Sequence, residues 1–411
     1  MPEIPALGSV TFSDMVQRKV PYEWGYGSTP RIAKLREGLY YKASTMKEWG
    51  SAFMAIFDSS ALKDKIGFRS GLKLDMDRAW LLTQSYKETE GQPEILRRAK
   101  AMVKICEEFP VSIKPNELIV GDPNSAPNEV RWYPELCVSY MPDAVKTGGF
   151  AVLVPEEEKA EIEKQVDEIC DYWNDRCLEA RVKAVKPSWM AGGMGKIFGL
   201  PGIDEAGGIY SESATIPGYD YDVLFRDGLK ARIKRAEAKL EELQNYKVAY
   251  MNPTEYVEKK NAWEAMAMCG RGAIRFAERY AEEARKQAST VGDETRRKEL
   301  EEMAAVLDRV PGDPVQTFHE AVQFYWIIEV VGRYLAVNGF GCGIRVDQIW
   351  WPYYEADMKA DRITREKALE LVESLFLKVQ EVGIGAVFPP FFAALSGGEI
   401  YYGANIGGSK D

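Results

Sequence analysis

At 411 residues the chain is long enough to bury a substantial core, whether as one large domain or as two or three small ones. Its 53 Lys and Arg against 63 Asp and Glu leave a net charge of −10, which argues against a general nucleic-acid or membrane-surface role, because phosphates need a basic face. The hydrophobic share of 46% and charged share of 28% are those of an ordinary globular protein. There is no run of about 18 apolar residues to span a bilayer, and the opening "MPEIPALGSVTFSDMVQRKV" lacks the basic-then-apolar order of a secretory signal, so a cytoplasmic location is expected.

Six cysteines, at 106, 137, 170, 177, 269 and 342, form no C-x-x-C pair and read as reduced thiols. The one histidine excludes a multi-histidine metal site, and no metal site is expected. His319 stands in "PVQTFHEAVQFYW", the first turn of a buried helix, where packing is the better reading than a place in a catalytic triad.

In chain order, "ELIVGDP" (117–123) is a short strand candidate. Ile162, Val166, Ile169, Trp173 and Cys177 recur at helical spacing, and Cys170 and Cys177 would stack on one face of that helix. The glycine cluster "AGGMGKIFGLPG" (191–202) fails as a phosphate loop: Ile197 follows Lys196 where Ser or Thr should stand, and Phe198 occupies the third glycine position of G-x-G-x-x-G. Leu229, Ile233, Ala236, Leu240 and Leu243 stripe a second helix, and 258–287 reads as a long one with Trp263, Met266, Gly270, Ile274 and Ala277 inward. "GFGCGIRV" (339–346) is strand-like, and Arg345 and Asp347 would share one face as an ion pair. The acids of "YYEADMKADRITREKALE" read as solvated helix ends, and no two carboxylates stand out as an acid/base pair. A helix over 364–381 buries Ala368, Leu371, Val372, Leu375 and Val379 behind a Thr364 N-cap, and 386–408 supplies a last strand limited by its prolines. Strands separated by long helices imply an α/β fold.

Several stretches together resemble a known family. "DRAWLLTQSYKETEGQPEILRRAKAM" (77–102) and "PNELIVGDP" (115–123) are similar to the N-terminal region of the glycyl radical enzymes, the pyruvate formate-lyase-like family. "TIPGYDYDVLFRDGLKARI" (215–233), "NAWEAMAMCGRGAIRFAERYAEEA" (261–284), "RVPGDPVQTFHEAVQFYW" (309–326) and "RVDQIWWPYYEADM" (345–358) follow in the family's order. "RWYPELCVSYM" (131–141) resembles the benzylsuccinate-synthase branch, which adds hydrocarbons to fumarate.

The resemblance implies the N-terminal part of a ten-stranded α/β barrel with a large helical surround. Within it, 1–75 would be a variable segment, 76–335 mainly helical, and 336–411 the first barrel strands and a helix. It places both the radical-bearing cysteine and the glycine beyond residue 411, so no catalytic residue is expected here and the chain alone should be inactive. The cofactor implied is a protein glycyl radical, installed by a separate S-adenosylmethionine iron–sulfur activating enzyme. The expected partners are that enzyme, a C-terminal half, fumarate with a hydrocarbon substrate, and a second copy in a homodimer.

The substrate pocket would be lined by Phe340, Cys342, Val387, Phe388 and Tyr401. At the position matched by Cys342 some family decarboxylases and dehydratases carry a substrate-contacting serine; Cys342 is a pocket wall or plain core packing. Ser213 completes the set. With Ala214 it stands where hydroxyl-eliminating dehydratases carry a histidine. An arylalkyl- or alkylsuccinate synthase is the leading expectation, with an arylacetate decarboxylase or other lyase of the family, or a catalytically silent paralogue, as alternatives.

Overall fold

A computed structural model of the chain describes residues 29–37, 74–125, 129–139, 141–147, 154–185, 218–245, 252–337, 344–381, 385–386 and 404–405. Helices dominate them: α1 (Pro30–Glu37), α2 (Asp77–Glu88), α3 (Glu94–Glu108), α4 (Met141–Thr147), α5 (Lys159–Trp173), α6 (Leu178–Val185), α7 (Tyr221–Gln244), α8 (Pro253–Ala288), α9 (Glu294–Arg309), α10 (Phe318–Glu329), α11 (Val346–Lys359) and α12 (Arg365–Glu381). The strands are short. β1 (Leu74–Asp75), β2 (Val130–Trp132) and β4 (Gly385–Ala386) form one parallel sheet in the order β1-β2-β4, and β3 (Ile344–Arg345) pairs in parallel with β5 (Ala404–Asn405). The α/β class is therefore observed, but the described residues form two small parallel sheets and not a ten-stranded barrel.

Local chemistry sets the helix starts. The side chains of Asp220, Asn252, Asp293, Thr317 and Thr364 each accept a backbone N–H from the first turn that follows. The Thr364 cap is the one its sequence called for. Pro253 occupies the first turn of α8, where its missing N–H costs nothing.

The 36-residue helix α8 packs against α3, α7 and α9. Its buried stripe runs through Ala265, Ala273, Phe276, Ala277, Tyr280, Ala281 and Ala284, leaving Met266 57% exposed. The expected inward Met266 is thus wrong by one residue of phase. Small alanines let neighbouring helices approach, and that contact outweighs the bulk of one methionine. Helix α7 is broken at Gly228 (φ 69°), where the N–H groups of Leu229 and Lys230 turn outward to Pro311 O and Gly312 O, 2.9 Å each.

At the centre lies α10, every residue of which is buried. It runs directly into a π-helical turn, Val330–Leu335. The stretch 117–122, which bends at Leu118 and Ile119, is bonded to it but belongs to no strand. Its backbone groups are paired instead with side chains. Gln323 receives Val120 N–H (3.0 Å) and donates to Val120 O (2.7 Å), Trp326 Nε1 donates to Gly121 O (2.7 Å), and Tyr280 Oη accepts Asp122 N–H (2.9 Å). His319 Nε2 lies 3.4 Å from Leu118 O, and its Nδ1 lies 3.1 Å from Glu302. Buried Lys378 of α12 closes the arrangement on Glu117 (2.6 Å) and Asp122 (2.9 Å). The expected strand at 117–123 is therefore not formed: the segment bends at Leu118 and Ile119 and is hydrogen-bonded by side chains from three helices, α8, α10 and α12.

Other expectations shift in the same way. Helix α5 ends at Trp173, so Cys177 is buried in the following turn instead of stacking on the helix with Cys170. Arg345 and Asp347 do form an ion pair (3.3 Å), but one ends β3 and the other opens α11. Asp357, expected in solvent, is 3% exposed and accepts the Phe318 N–H (2.8 Å) and the Arg362 guanidinium. Among the described residues, no helix is long and apolar enough to cross a membrane and no three His, Cys, Asp or Glu are grouped to hold a metal ion.

Replacing Gln323 by Leu keeps the volume but strips Val120 of the amide partners seen here. Stability should fall by about 2–5 kcal/mol, because two buried backbone groups lose their bonds. Urea titration checks this; an unchanged midpoint would show that the 117–122 segment is held by other means.

Candidate functional site

The sequence-expected lining residues Phe340, Cys342, Ser213, Val387, Phe388 and Tyr401 lie outside the described residues, as does the 191–202 glycine cluster. What the structure does bring together is a set of polar residues at the carboxyl end of β1 and around β2. In parallel α/β sheets functional side chains gather at the carboxyl ends of strands.

Asp75 ends β1 and is 3% exposed. Its carboxylate accepts the backbone N–H of Asp77 (2.9 Å), the N–H of Ser125 (3.0 Å) and the Ser125 hydroxyl (3.3 Å). The same hydroxyl also bonds Asp77, the first residue of α2. Burial pushes the Asp75 carboxyl up from 3.8 to about 6, partly offset by the Ser125 N–H, while the Asp77 charge adds to the rise. A carboxyl poised there can hold or release a proton close to neutral pH. Sequence reading missed this residue: its only trace is an acid flanked by Leu74 and Met76 in the charged stretch "KLDMDR" (73–78).

Beside Asp75 in strand register stands Arg131 on β2. Its guanidinium bonds Asn124 Oδ1 (2.6 Å) and the Tyr133 hydroxyl (3.2 Å) and lies 4.9 Å from the centroid of the Tyr334 ring. Tyr133 in turn donates to Tyr334 O (2.9 Å), linking the sheet to the π-turn.

Two further arginines fix the other side of β2. Arg78, fully buried, donates to Leu335 O (2.9 Å) and to Glu135 (2.6 Å), and its guanidinium lies 4.1 Å from the centroid of the Tyr133 ring. Arg98 reaches Ala336 O (2.6 Å) and the same Glu135 (3.3 Å). Burial alone would raise the Glu135 carboxyl, but the two guanidiniums outweigh it and hold it below the usual carboxylate range. This triad caps the free carbonyls at the end of the π-turn, where cations complement the helix dipole. The motif residues Arg78 in "DRAW" and Glu135 in "RWYPE" thus meet 57 positions apart in sequence.

A separate groove of about 470 Å³ lies between α2, α3 and α8. Its rim charges are paired, Lys104 with Glu88 (3.1 Å) and Glu108 (3.3 Å), and Arg271 with Glu237 (2.7 Å). It shares no residue with the strand-end cluster.

Residues 28–411 match the family model described as pyruvate formate lyase-like. The chain belongs to this family of glycyl radical enzymes. Among curated relatives it is 31% identical over 320 residues to an isethionate sulfite-lyase from Nitratidesulfovibrio vulgaris, covering 74% of this chain and 37% of that protein. It is also 31% identical over 315 residues to a trans-4-hydroxy-L-proline dehydratase from Clostridioides difficile, with the same coverage. Among solved structures, the B12-independent glycerol dehydratase from Clostridium butyricum superposes with a TM-score of 0.71 at 25% identity, over 93% of this chain and 44% of that one. The chain therefore spans well under half the length of the relatives it matches. These relatives are lyases and dehydratases; they lend no support to the fumarate-adding branch suggested by 131–141.

The Asp75 shift has a signed consequence. Between 3.8 and about 6 the folded chain holds a proton at Asp75 that the unfolded chain has released. The stability tied to it is fully present below 3.8 and is lost as pH rises through about 6. About 3 kcal/mol is involved, from the size of the shift. Asp75→Asn should remove that slope, so the stability difference between variant and parent should change across this window in urea titrations. Parallel profiles for the two proteins would contradict the assignment.

Proposed function

We propose that this chain is the N-terminal part of a glycyl radical lyase that eliminates a leaving group from a small polar substrate, as a dehydratase or a sulfite-lyase does. The observation that carries the reading is the ordered match through residues 28–411, together with relatives at 31% identity that are such lyases. Fumarate addition rested on an eleven-residue resemblance (131–141), on Ser213 and Ala214 standing in place of a histidine, and on an apolar lining; the first of these stretches has a structural duty of its own, since Trp132 is core and Glu135 pairs with Arg78 and Arg98.

The radical would arise on residues contributed from outside this sequence, with hydrogen abstraction from the substrate following. The part played by the present residues would be to shape the walls and to manage protons. Elimination of a hydroxyl calls for a proton on the departing oxygen. Ser213 and Ala214 stand where a family dehydratase carries a histidine, so a different acid is needed for water loss. Asp75, poised near neutrality, is our candidate among the described residues. Loss of sulfite, a far better leaving group, would not need that proton.

The test uses the complete reading frame containing this chain, activated anaerobically with a glycyl-radical activating enzyme. It is offered isethionate, trans-4-hydroxy-L-proline, an arylacetate, and fumarate with an aromatic hydrocarbon. The expected result is release of sulfite or of a dehydrated product from one of the first two chemistries. Turnover confined to a fumarate adduct, or to carbon dioxide from the arylacetate, would overturn the reading.

A further inference from the structure

Four aromatic side chains that can lose a single electron stand in succession through the core. Tyr219 and Tyr221 have ring centroids 6.0 Å apart, Tyr221 and Tyr325 5.0 Å, and Tyr325 and Trp350 5.4 Å. They come from the segment before α7, from α7 itself, from α10 and from α11, so only the tertiary fold assembles them. Tyr219 is half-buried, while Tyr221, Tyr325 and Trp350 are at most 5% exposed. The Tyr219 hydroxyl rests where a side chain at Gly332 of the π-turn would lie, so a glycine there is required to seat the first ring.

One member is bonded to a buried carboxylate. Tyr221 donates its hydroxyl hydrogen to Glu329 Oε1 at 2.5 Å, and Glu329, at 0% exposure, is ion-paired through its other oxygen to Arg333 one turn later. Packing does not ask for this. A phenylalanine would fill the same space, as Phe225 does at 5.6 Å from the Tyr221 ring, and burying a carboxylate is costly unless it is paired. Trp350 Nε1, by contrast, has no hydrogen-bond partner among the described residues. Among those residues its indole proton has no acceptor.

We propose that Tyr219, Tyr221, Tyr325 and Trp350 form a relay for one-electron oxidation through the core, with the Tyr221–Glu329 pair as its proton-coupled end point. The oxidant is an oxygen- or sulfur-centred radical, the class to which a radical enzyme and its encounters with oxygen give rise. It takes one electron from the relay and is reduced by that electron. Between rings only electrons move. At Tyr221 the phenolic O–H bond breaks, its proton forms a new O–H bond on Glu329 Oε1, and Tyr221 becomes a neutral phenoxyl radical. The proton transfer leaves Tyr221 neutral and puts the positive charge left by the electron on the Arg333 guanidinium, which is stable as a cation, whereas oxidised Trp350 would have to hold that charge on its ring as a cation radical. Burial raises the Glu329 carboxyl above its ordinary value, against the pull of Arg333 and the Tyr221 bond, which makes it the better holder of that proton. The relay does not depend on which substrate the enzyme takes.

The experiment uses the complete reading frame containing this chain, before any glycyl radical is installed. A photogenerated ruthenium(III) polypyridyl complex supplies the oxidising equivalent, and freeze-quench EPR with transient absorption follows the product in ordinary and in heavy water. The expected result is a long-lived neutral tyrosyl signal whose rise slows in heavy water. Tyr221→Phe should lose that signal. Glu329→Gln should lose the isotope effect and shorten the lifetime, and Trp350→Phe should lower the yield without changing the line shape. Circular dichroism confirms folding of each variant, and Tyr221→Phe, which preserves the ring, decides the matter if Glu329→Gln unfolds. No long-lived signal in the parent chain, or an undiminished one in Tyr221→Phe, would overturn the proposal.

Discussion

A helix buried on every side must find a partner for each polar group it carries, and α10 sets that condition for the rest of the described structure. Its sequence is not purely apolar: His319, Glu320, Gln323 and Glu329 are all buried with it. Each is answered. Glu320 takes the Arg309 guanidinium (2.7 Å) and the Gln316 N–H (2.6 Å), Gln323 takes Val120, and Glu329 takes Tyr221 and Arg333. An unanswered group at any of these points would cost about 1–3 kcal/mol or more. The helix therefore dictates where its neighbours lie as much as it is held by them.

The stretch 117–122 shows how far this reaches. A strand would satisfy its backbone with another strand; here amide, indole, imidazole and phenol groups of helices stand in. Lys378 then ties the stretch to α12, which leads within a few residues to β4. The parallel sheet β1-β2-β4 is anchored at β2 by the Arg78–Glu135–Arg98 triad, while Lys378 holds the helix that precedes β4 in the chain. Short strands of two or three residues could not hold their own register without such anchoring.

The functional reading rests on the same frame. The Asp75 carboxyl is poised near neutrality because β1 ends inside the packed sheet, where desolvation exceeds what two backbone N–H groups return. The π-turn after α10 is pinned by arginines on its carbonyls and by Tyr133, and it leads towards residues 338–343, where Cys342 stands.

Much of this was legible in the sequence, and the divide is one of range. Helix periods, the Thr364 cap, the buried first turn at His319 and the Arg345–Asp347 pair depend on residues a few positions apart, so local spacing determined them. The ordered motifs from 77 to 358 carried the family. Tertiary structure alone decided the rest. Whether "ELIVGDP" pairs as a strand depends on Gln323, 203 positions away. Whether Asp357 is solvated depends on the free N–H of Phe318, 39 positions earlier. Met266 faces outward because its helix packs on its neighbours along the alanine stripe through Ala265 and Ala273. The proton affinity of Asp75 and the bond between Tyr221 and Glu329 follow from burial, which no short stretch of sequence contains, since desolvation is set by everything packed around a group and not by its neighbours in the chain.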